Sequence, residues 1–283
     1  MPEMITKRTL TLGHSPDPDD AFMFYALAHE LIDTRGWSFK HVLQDIQTLN
    51  ERARLGELDI TAISIHAYPY VADKYILTHC GASIGDGYGP LVVAREPMAV
   101  QELAGKRIAV PGEMTSAFLT LNLLLGRGRF AHTVVMFDQI LDEVVAGRAD
   151  AGLIIHEGQL TYHHHKLVCV VDLGAWWKQQ TGLPLPLGGN VIRRDLGSHA
   201  VHEVTSILRQ SIEYSLSNRK PAVAYALDFA RDMGAELADK FVGMYVNAYT
   251  LDYGEQGRRA VREFLARGHA AGLVPDPGPI EFV

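Results

Sequence analysis

The chain has 283 residues, 47% hydrophobic and 21% charged, a balance that suits a packed core and excludes a disordered chain. Its net charge of -7 argues against a nucleic-acid surface, which needs a basic face, but leaves room for a small anion held locally by backbone N–H groups. Two distant cysteines, Cys80 and Cys169, give no disulfide framework, and no apolar run approaches the roughly 20 residues of a membrane helix.

The opening MPEMITKRTLTLG lacks the apolar core and small-residue cleavage site of an export signal, so a cytoplasmic, reduced protein is expected. TLTLG (9–13) reads as a strand. AFMFYALAHELI (21–32) reads as a helix with Ala21, Tyr25, Ala28 and Ile32 on one face. FKHVL, a helix over 48–55 and the strand DITAIS (59–64) follow. Next come ILTHCGA, GPLVVAR, KRIAVPG (106–112), the helix SAFLTLNLLLG, the strand TVVMF, the helix QILDEVVAG, and the strands ADAGLIIHE (149–157) and LVCVVDLG. From about Val201 the pattern is helical nearly to the end. Strands alternating with helices predict an α/β fold with mainly parallel sheets.

LNERARLGELDITAISIH (49–66) and ILDEVVAGRADAGLIIHE (140–157) share one layout: helix, glycine, polar link with Asp, strand, His. Either two lobes are built alike, each presenting a strand end, or G-x-x-D is simply a common helix-to-strand turn. VVAREP (92–97) and NVIRRD (190–195) read as crossings between lobes. They divide the chain into a contiguous lobe, 94–193, and a discontinuous one, 1–93 with 194–283.

GHSPDPDDAF (13–22) packs three further acids into a strand-to-helix junction. A metal loop needs spaced oxygens and a turn glycine. The simpler account is a helix start, with Asp17 as N-cap, Pro18 first and Asp20 the acid at the third position. The aspartates are then architectural. His14 and Ser15 are left exposed at a strand end, where open α/β sheets bind ligands.

Thr115 or Ser116 in PGEMTSAF caps the next helix. A helix start with hydroxyls and free N–H groups is a plain cap or an anion site, or both. His156, at the end of LIIHEGQ, is a structural histidine or a general base, since an unperturbed imidazole titrates near neutrality. Ser64 in ISIHAY can bind a ligand oxygen, but no G-x-S-x-G elbow surrounds it. HHH (163–165) reads as exposed polar surface, because three successive residues cannot all face one ion. GASIGDGYGP (81–90) reads as a tight turn. PLPLGGN (184–190) reads as a rigid loop in which Gly188 and Gly189 let backbone approach a ligand. Trp176 and Trp177 read as packing.

SPDPDDAFMFYAL, ITAISIHAY, GYGPLVVAR, AVPGEMTSAF, AGLIIHEGQLTY, VVDLGAWW, GLPLPLG and YVNAYTLDYGEQG together resemble 1,4-dihydroxy-6-naphthoate synthases of the futalosine route to menaquinone, in the right order over nearly the whole chain. The resemblance implies an α/β, two-lobed, periplasmic-binding-protein-like (type II) fold with the ligand cleft between lobes. It implies a lyase that converts cyclic dehypoxanthine futalosine to 1,4-dihydroxy-6-naphthoate and releases a three-carbon sugar fragment, with no cofactor and no metal. His156 falls on the family's proton acceptor. Thr115 and Ser116, and Ala62, Ile63 and Ser64, fall on its substrate contacts. Ser15, His14 and Gly189 are further candidates. The expected partner is a small anionic substrate in the interlobe cleft, with no nucleic acid and no membrane span. A chorismate dehydratase of the same pathway, or a non-catalytic solute-binding protein, would share the fold.

Overall fold

The computed structural model describes residues 8–230 and 234–283. Most of the segment read for an export signal, residues 1–7, lies outside them. In chain order the strands are β1 (Arg8–His14), β2 (Trp37–Leu43), β3 (Ile60–Ser64), β4 (Tyr75–Leu77), β5 (Ser83–Gly85), β6 (Leu91–Ala94), β7 (Arg107–Val110), β8 (Ala131–Val134), β9 (Ala151–Ile154), β10 (Val168–Asp172) and β11 (Leu185–Arg193). The helices are α1 (Pro18–Ala28), α2 (Ile46–Leu55), α3 (Ser116–Leu125), α4 (Ile140–Val145), α5 (Gly158–Thr161), α6 (Leu173–Thr181), α7 (Ser198–Ser217), α8 (Arg219–Leu227), α9 (Ala235–Tyr245), α10 (Ala248–Leu251) and α11 (Gly254–Ala270).

Two sheets form two lobes. The first runs β2-β1-β3-β11-β4, with β5 also on β11; the second runs β10-β6-β9-β7-β8. Each has a parallel trio, β2-β1-β3 and β8-β7-β9, bordered by an antiparallel strand, β11 and β6. The sheets are therefore mixed rather than mainly parallel, because β6 and β11 enter from the other lobe and run against the trio. The shared layout read from sequence is present as structure. α2 leads through Gly56 (φ 70°) to β3, and α4 leads through Gly147 (φ 74°) to β9. Both glycines take the left-handed conformation that ends a helix cheaply only without a Cβ.

Sheet membership changes between Gly85 and Leu91, and again before Leu185. Both crossings precede the expected segments, since 92–94 is already inside β6 and 190–193 inside β11. PLPLGGN is not a loop: most of it is β11, with a register shift between Pro186 and Gly188 that accommodates the proline.

α1 ends at Ala28, short of the expected Ile32, and has no single apolar face. Ala21, Phe22, Met23, Phe24, Ala26 and Leu27 are all buried while Ala28 is exposed, because α7, α8 and α9 cover the helix on several sides. Trp177 is fully buried beneath α11, edge-on to Phe264, with its indole N–H on Pro184 O. A ring of that size removes roughly 150–250 Å² from water, about 4–6 kcal/mol as an upper bound. Cys80 is buried and Cys169 exposed, both as free thiols. Among the described residues no helix is long and apolar enough to cross a membrane.

Candidate functional site

A cavity of about 110 Å³ lies between the lobes, where strand ends of both sheets meet. From the first lobe it is lined by Ser15, Asp17, Asp19 and Asp20 after β1, Ala62 and Ile63 of β3, Gly81 and Ser83 beside β5, Gly188, Gly189 and Asn190 of β11, and Tyr245 of α9. The second lobe contributes Thr115, Ser116 and Ala117 at the start of α3, and Ile155 just after β9.

The α3 start is a built helix terminus. Thr115 is the N-cap, its hydroxyl accepting from Phe118 N at 3.2 Å and donating to Gly112 O at 2.8 Å. Ser116 Oγ donates across the cleft to Leu187 O at 2.6 Å and accepts from His66 N at 3.2 Å. Both hydroxyl protons are thus committed to carbonyls. Ser116 and Ala117, the first two residues of α3, line the cavity, and their amides lie at the positive end of the helix dipole without an intrahelical acceptor.

More bonds cross the same seam. His66 Nδ1 donates to Thr115 O at 3.1 Å, and burial pushes this imidazole down to about 4. Asn50 donates to Met114 O, Gln47 accepts from Met114 N, and Tyr245 Oη donates to Gln159 Oε1 at 2.6 Å. The lobes are closed on one another.

The acidic stretch does start a helix, with Asp17 as N-cap and Pro18 first. Its carboxylates do not cap. Asp17 accepts from Ser15 Oγ at 2.9 Å and Asp20 from Ser15 N at 2.6 Å, while Asp19 accepts from Ser83 Oγ at 3.5 Å. Burial pushes Asp20 up to about 7, against the opposing pull of the Ser15 amide, and the Asp17 charge adds to the rise. Burial, then the charges of Asp20 and Asp17, hold Asp19 well above the usual carboxylate range. These acids wall the cavity as well as starting α1. Among the described residues no three His, Cys, Asp or Glu side chains converge as a metal-ligand group.

Ala62, Ile63, Thr115, Ser116, Ser15 and Gly189 come together on this cavity. His14, Ser64 and His156 are not on its wall. His14 is buried rather than exposed at the strand end. Its Nε2 shares a 2.9 Å hydrogen bond with His41 Nδ1, and burial together with the His41 charge pushes it down to about 3. The Ser64 hydroxyl accepts from Asn50 Nδ2 at 3.1 Å, and its amide donates to Asn50 Oδ1.

His156 sits one residue beyond the lining Ile155, buried and edge-on to Phe137. Its Nδ1 accepts from Gly158 N at 2.8 Å, which places the proton of the neutral ring on Nε2. A Cβ at Gly158 would stand 2.4 Å from His156 Cε1, so the glycine makes room for the ring. Trp176 and Trp177 do not line the cavity, and His163–His165 are exposed.

Sequence reasoning missed Asn50, which ties α2, β3 and Met114, and Asn190, a buried amide on the cavity floor. The one available signal was a polar residue standing beside an apolar strand run, in GGNVI (188–192).

A family model described as menaquinone biosynthesis matches residues 10–270. The chain is 44% identical over 272 residues to the 1,4-dihydroxy-6-naphthoate synthase of Thermus thermophilus, covering 96% of this chain and 98% of that one. A crystal structure of a protein from Archaeoglobus fulgidus superposes with a TM-score of 0.90 at 44% identity, covering 94% of this chain and 98% of that one. The alkanesulfonate-binding protein of Xanthomonas axonopodis pv. citri superposes with a TM-score of 0.74 at 15% identity, covering 96% of each chain. That likeness shows the fold: two lobes of the periplasmic-binding-protein kind.

Proposed function

This chain belongs to the menaquinone-biosynthesis family of 1,4-dihydroxy-6-naphthoate synthases, and on that premise we propose that it converts cyclic dehypoxanthine futalosine to 1,4-dihydroxy-6-naphthoate in the cytoplasm, releasing a three-carbon sugar fragment. The observation that carries the reading is the end-to-end match to a synthase at 44% identity. The cleft supports it with a largely apolar cavity lined from both lobes, into which the α3 start and a few polar side chains are set.

The product is aromatic, so loss of the fragment is strongly driven once a proton leaves the carbon beside a carbonyl. A single positioned base meets that need, and no cofactor is invoked. His156 is that base. It takes the proton at Nδ1, which requires the Gly158 N–H bond to be released first, so the 156–158 turn shifts as substrate enters. The substrate carboxylate sits at the α3 start, against the amides of Ser116 and Ala117. The cavity, about 110 Å³, is smaller than the roughly 300–1,000 Å³ of sites for ligands of this size, so the lobes part to admit the substrate and hold it in a wider cleft than this one.

The test is incubation of chelator-treated protein with cyclic dehypoxanthine futalosine and mass detection of 1,4-dihydroxy-6-naphthoate. His156→Ala should lower kcat by about 10²–10⁴-fold with substrate affinity and melting temperature nearly unchanged. Folded wild-type protein that makes no product would refute the reaction. A His156→Ala variant at near-normal rate would remove the base assignment.

A further inference from the structure

Asn190 is 1% exposed, lines the interlobe cavity, and has no hydrogen-bond partner on either Oδ1 or Nδ2 among the described residues. Its backbone is fixed independently. It lies in β11 opposite Ala62 of β3, and its carbonyl accepts from Thr78 N at 3.0 Å. The side chain is therefore held at the cavity by a strand that does not need it. Gly81, at φ +77°, keeps the space: a Cβ there would stand 2.1 Å from Asn190 Nδ2.

Burying both halves of a carboxamide without partners is unfavourable, and proteins retain such groups where a ligand completes them. A free donor next to a free acceptor, both uncharged, fits hydroxyl groups better than it fits an anion. The surroundings agree. Ser83, whose hydroxyl bonds Asp19, pairs with Gly188, two residues along β11 and on the same face as Asn190. Asp17, Asp19 and Asp20 share this first-lobe wall, where burial and neighbouring acids already oppose ionisation of Asp19 and Asp20, so a further carboxylate is disfavoured there. The α3 terminus on the opposite lobe favours one. The cavity is thus electrically lopsided, and a ligand with one anionic end and one hydroxylated end has a single good orientation.

We propose that Asn190 is a specificity-determining binding residue that reads the hydroxyl-bearing, sugar-derived ring of the substrate, accepting through Oδ1 and donating through Nδ2, while the carboxylate lies at the α3 start. This rests on the reaction proposed above. It assigns Asn190 to the portion of the substrate that the product no longer carries.

The test is calorimetric titration of proteins with Asn190, Asn190→Leu or Asn190→Asp in a His156→Ala background, where the substrate is not consumed, with cyclic dehypoxanthine futalosine and, separately, with 1,4-dihydroxy-6-naphthoate, beside a thermal melt of each free protein and a turnover assay of the wild type. Leucine has nearly the shape of asparagine and no polar group. Aspartate keeps the acceptor and loses the donor. Substrate affinity should fall about 10- to 100-fold in both variants, product affinity should stay within about twofold, and the free Asn190→Leu protein should melt no lower than its Asn190 parent. Unchanged substrate affinity would overturn the assignment. So would a parallel loss of both affinities with a lowered melting temperature, the mark of a merely structural amide. Substrate binding through Asn190 with no turnover by the wild type would remove the reaction and leave the subsite standing. An Asn190 parent that binds neither compound, with no turnover by the wild type, would remove both.

Discussion

Gly158→Ala is the sharpest probe of the His156 assignment, because the two residues share one small volume. The new Cβ would lie 2.4 Å from Cε1 and 2.8 Å from Nδ1 of His156, and 3.1 Å from Ile154 Cγ2. Ordinary carbon contacts begin near 3.5 Å, so the ring must move by about 1 Å. The group that yields is the imidazole rather than the backbone, and the Gly158 N–H to Nδ1 bond goes with it. That bond is one the ring sheds in order to act, so the cost comes from the methyl itself, which stands 2.8 Å from Nδ1 and displaces the proton-accepting atom by about 1 Å, on the order of 10²-fold in rate or about 2.7 kcal/mol of barrier. The stability terms nearly cancel. One lost hydrogen bond is worth about 0.5–1.5 kcal/mol, and Gly158 lies in α5, where alanine regains about 0.5–1 kcal/mol. The melting temperature should therefore move by less than about 4 °C while kcat falls about 100-fold. Steady-state kinetics beside a thermal melt read both numbers. Wild-type kcat in a folded Gly158→Ala protein would refute the placement of His156 as the group that meets the substrate.

Replacing Thr115 and Ser116 together by Ala removes an N-cap and a bond that spans the cleft. Stability should drop by about 1 kcal/mol from the cap, and KM should rise about tenfold with kcat nearly unchanged. A fall in kcat at constant KM would count against these residues as ground-state contacts. For pH, Asp20 is pushed up to about 7 in the fold from 3.8. Between those values the folded state holds a proton that the unfolded chain has lost, so this group's contribution to stability falls as pH rises from about 4 to 7. Asp20→Asn should flatten that decline in melts taken across the range, and an equal slope in both proteins would disprove it. His14 acts in reverse: held down to about 3, it lowers stability as pH falls below about 6.5.

The chain order from β1 to β10 was largely legible because most elements there are short and bounded by punctuation, but β5 lay inside the expected turn 81–90, α6 was read only as packing around Trp176 and Trp177, and α7–α11 as one helical stretch. The twin layout around Gly56 and Gly147 was legible for the same reason, as were Ala62, Ile63, Thr115 and Ser116 at strand and helix ends. β11 was not. Its prolines and glycines signal a loop locally, yet a central strand forms there because the sheet supplies pairing on both sides and a bulge takes up Pro186. Gly189 is required by a neighbour 64 positions away in sequence, since a Cβ there would stand 2.1 Å from Tyr253 Oη. No local pattern records such a contact. Side-chain direction was equally hidden. His14 and Ser15 are adjacent, but only Ser15 lines the cavity, because His14 faces β2 and pairs with His41. The acids after Ser15 read correctly as a helix start and incompletely as no more than that.

β11 joins the first sheet between β3 and β4 only after the entire second lobe has been made. β3 ends at Ser64 and β11 begins at Leu185, so 120 residues separate an open strand edge from its partner. On a ribosome adding about 5–20 residues per second, that edge stands unpaired for roughly 6–24 s. Meanwhile the strands β6–β10 form a contiguous sheet that can close by itself. The nascent protein thus passes through a stage with one finished lobe and one sheet lacking its central strand, whose bare, fully buried-type edge invites pairing with other chains. Arrested chains ending before residue 185 should be cut by protease in residues 8–85 and spared in 91–172; protection of both segments would show that the first sheet does not wait.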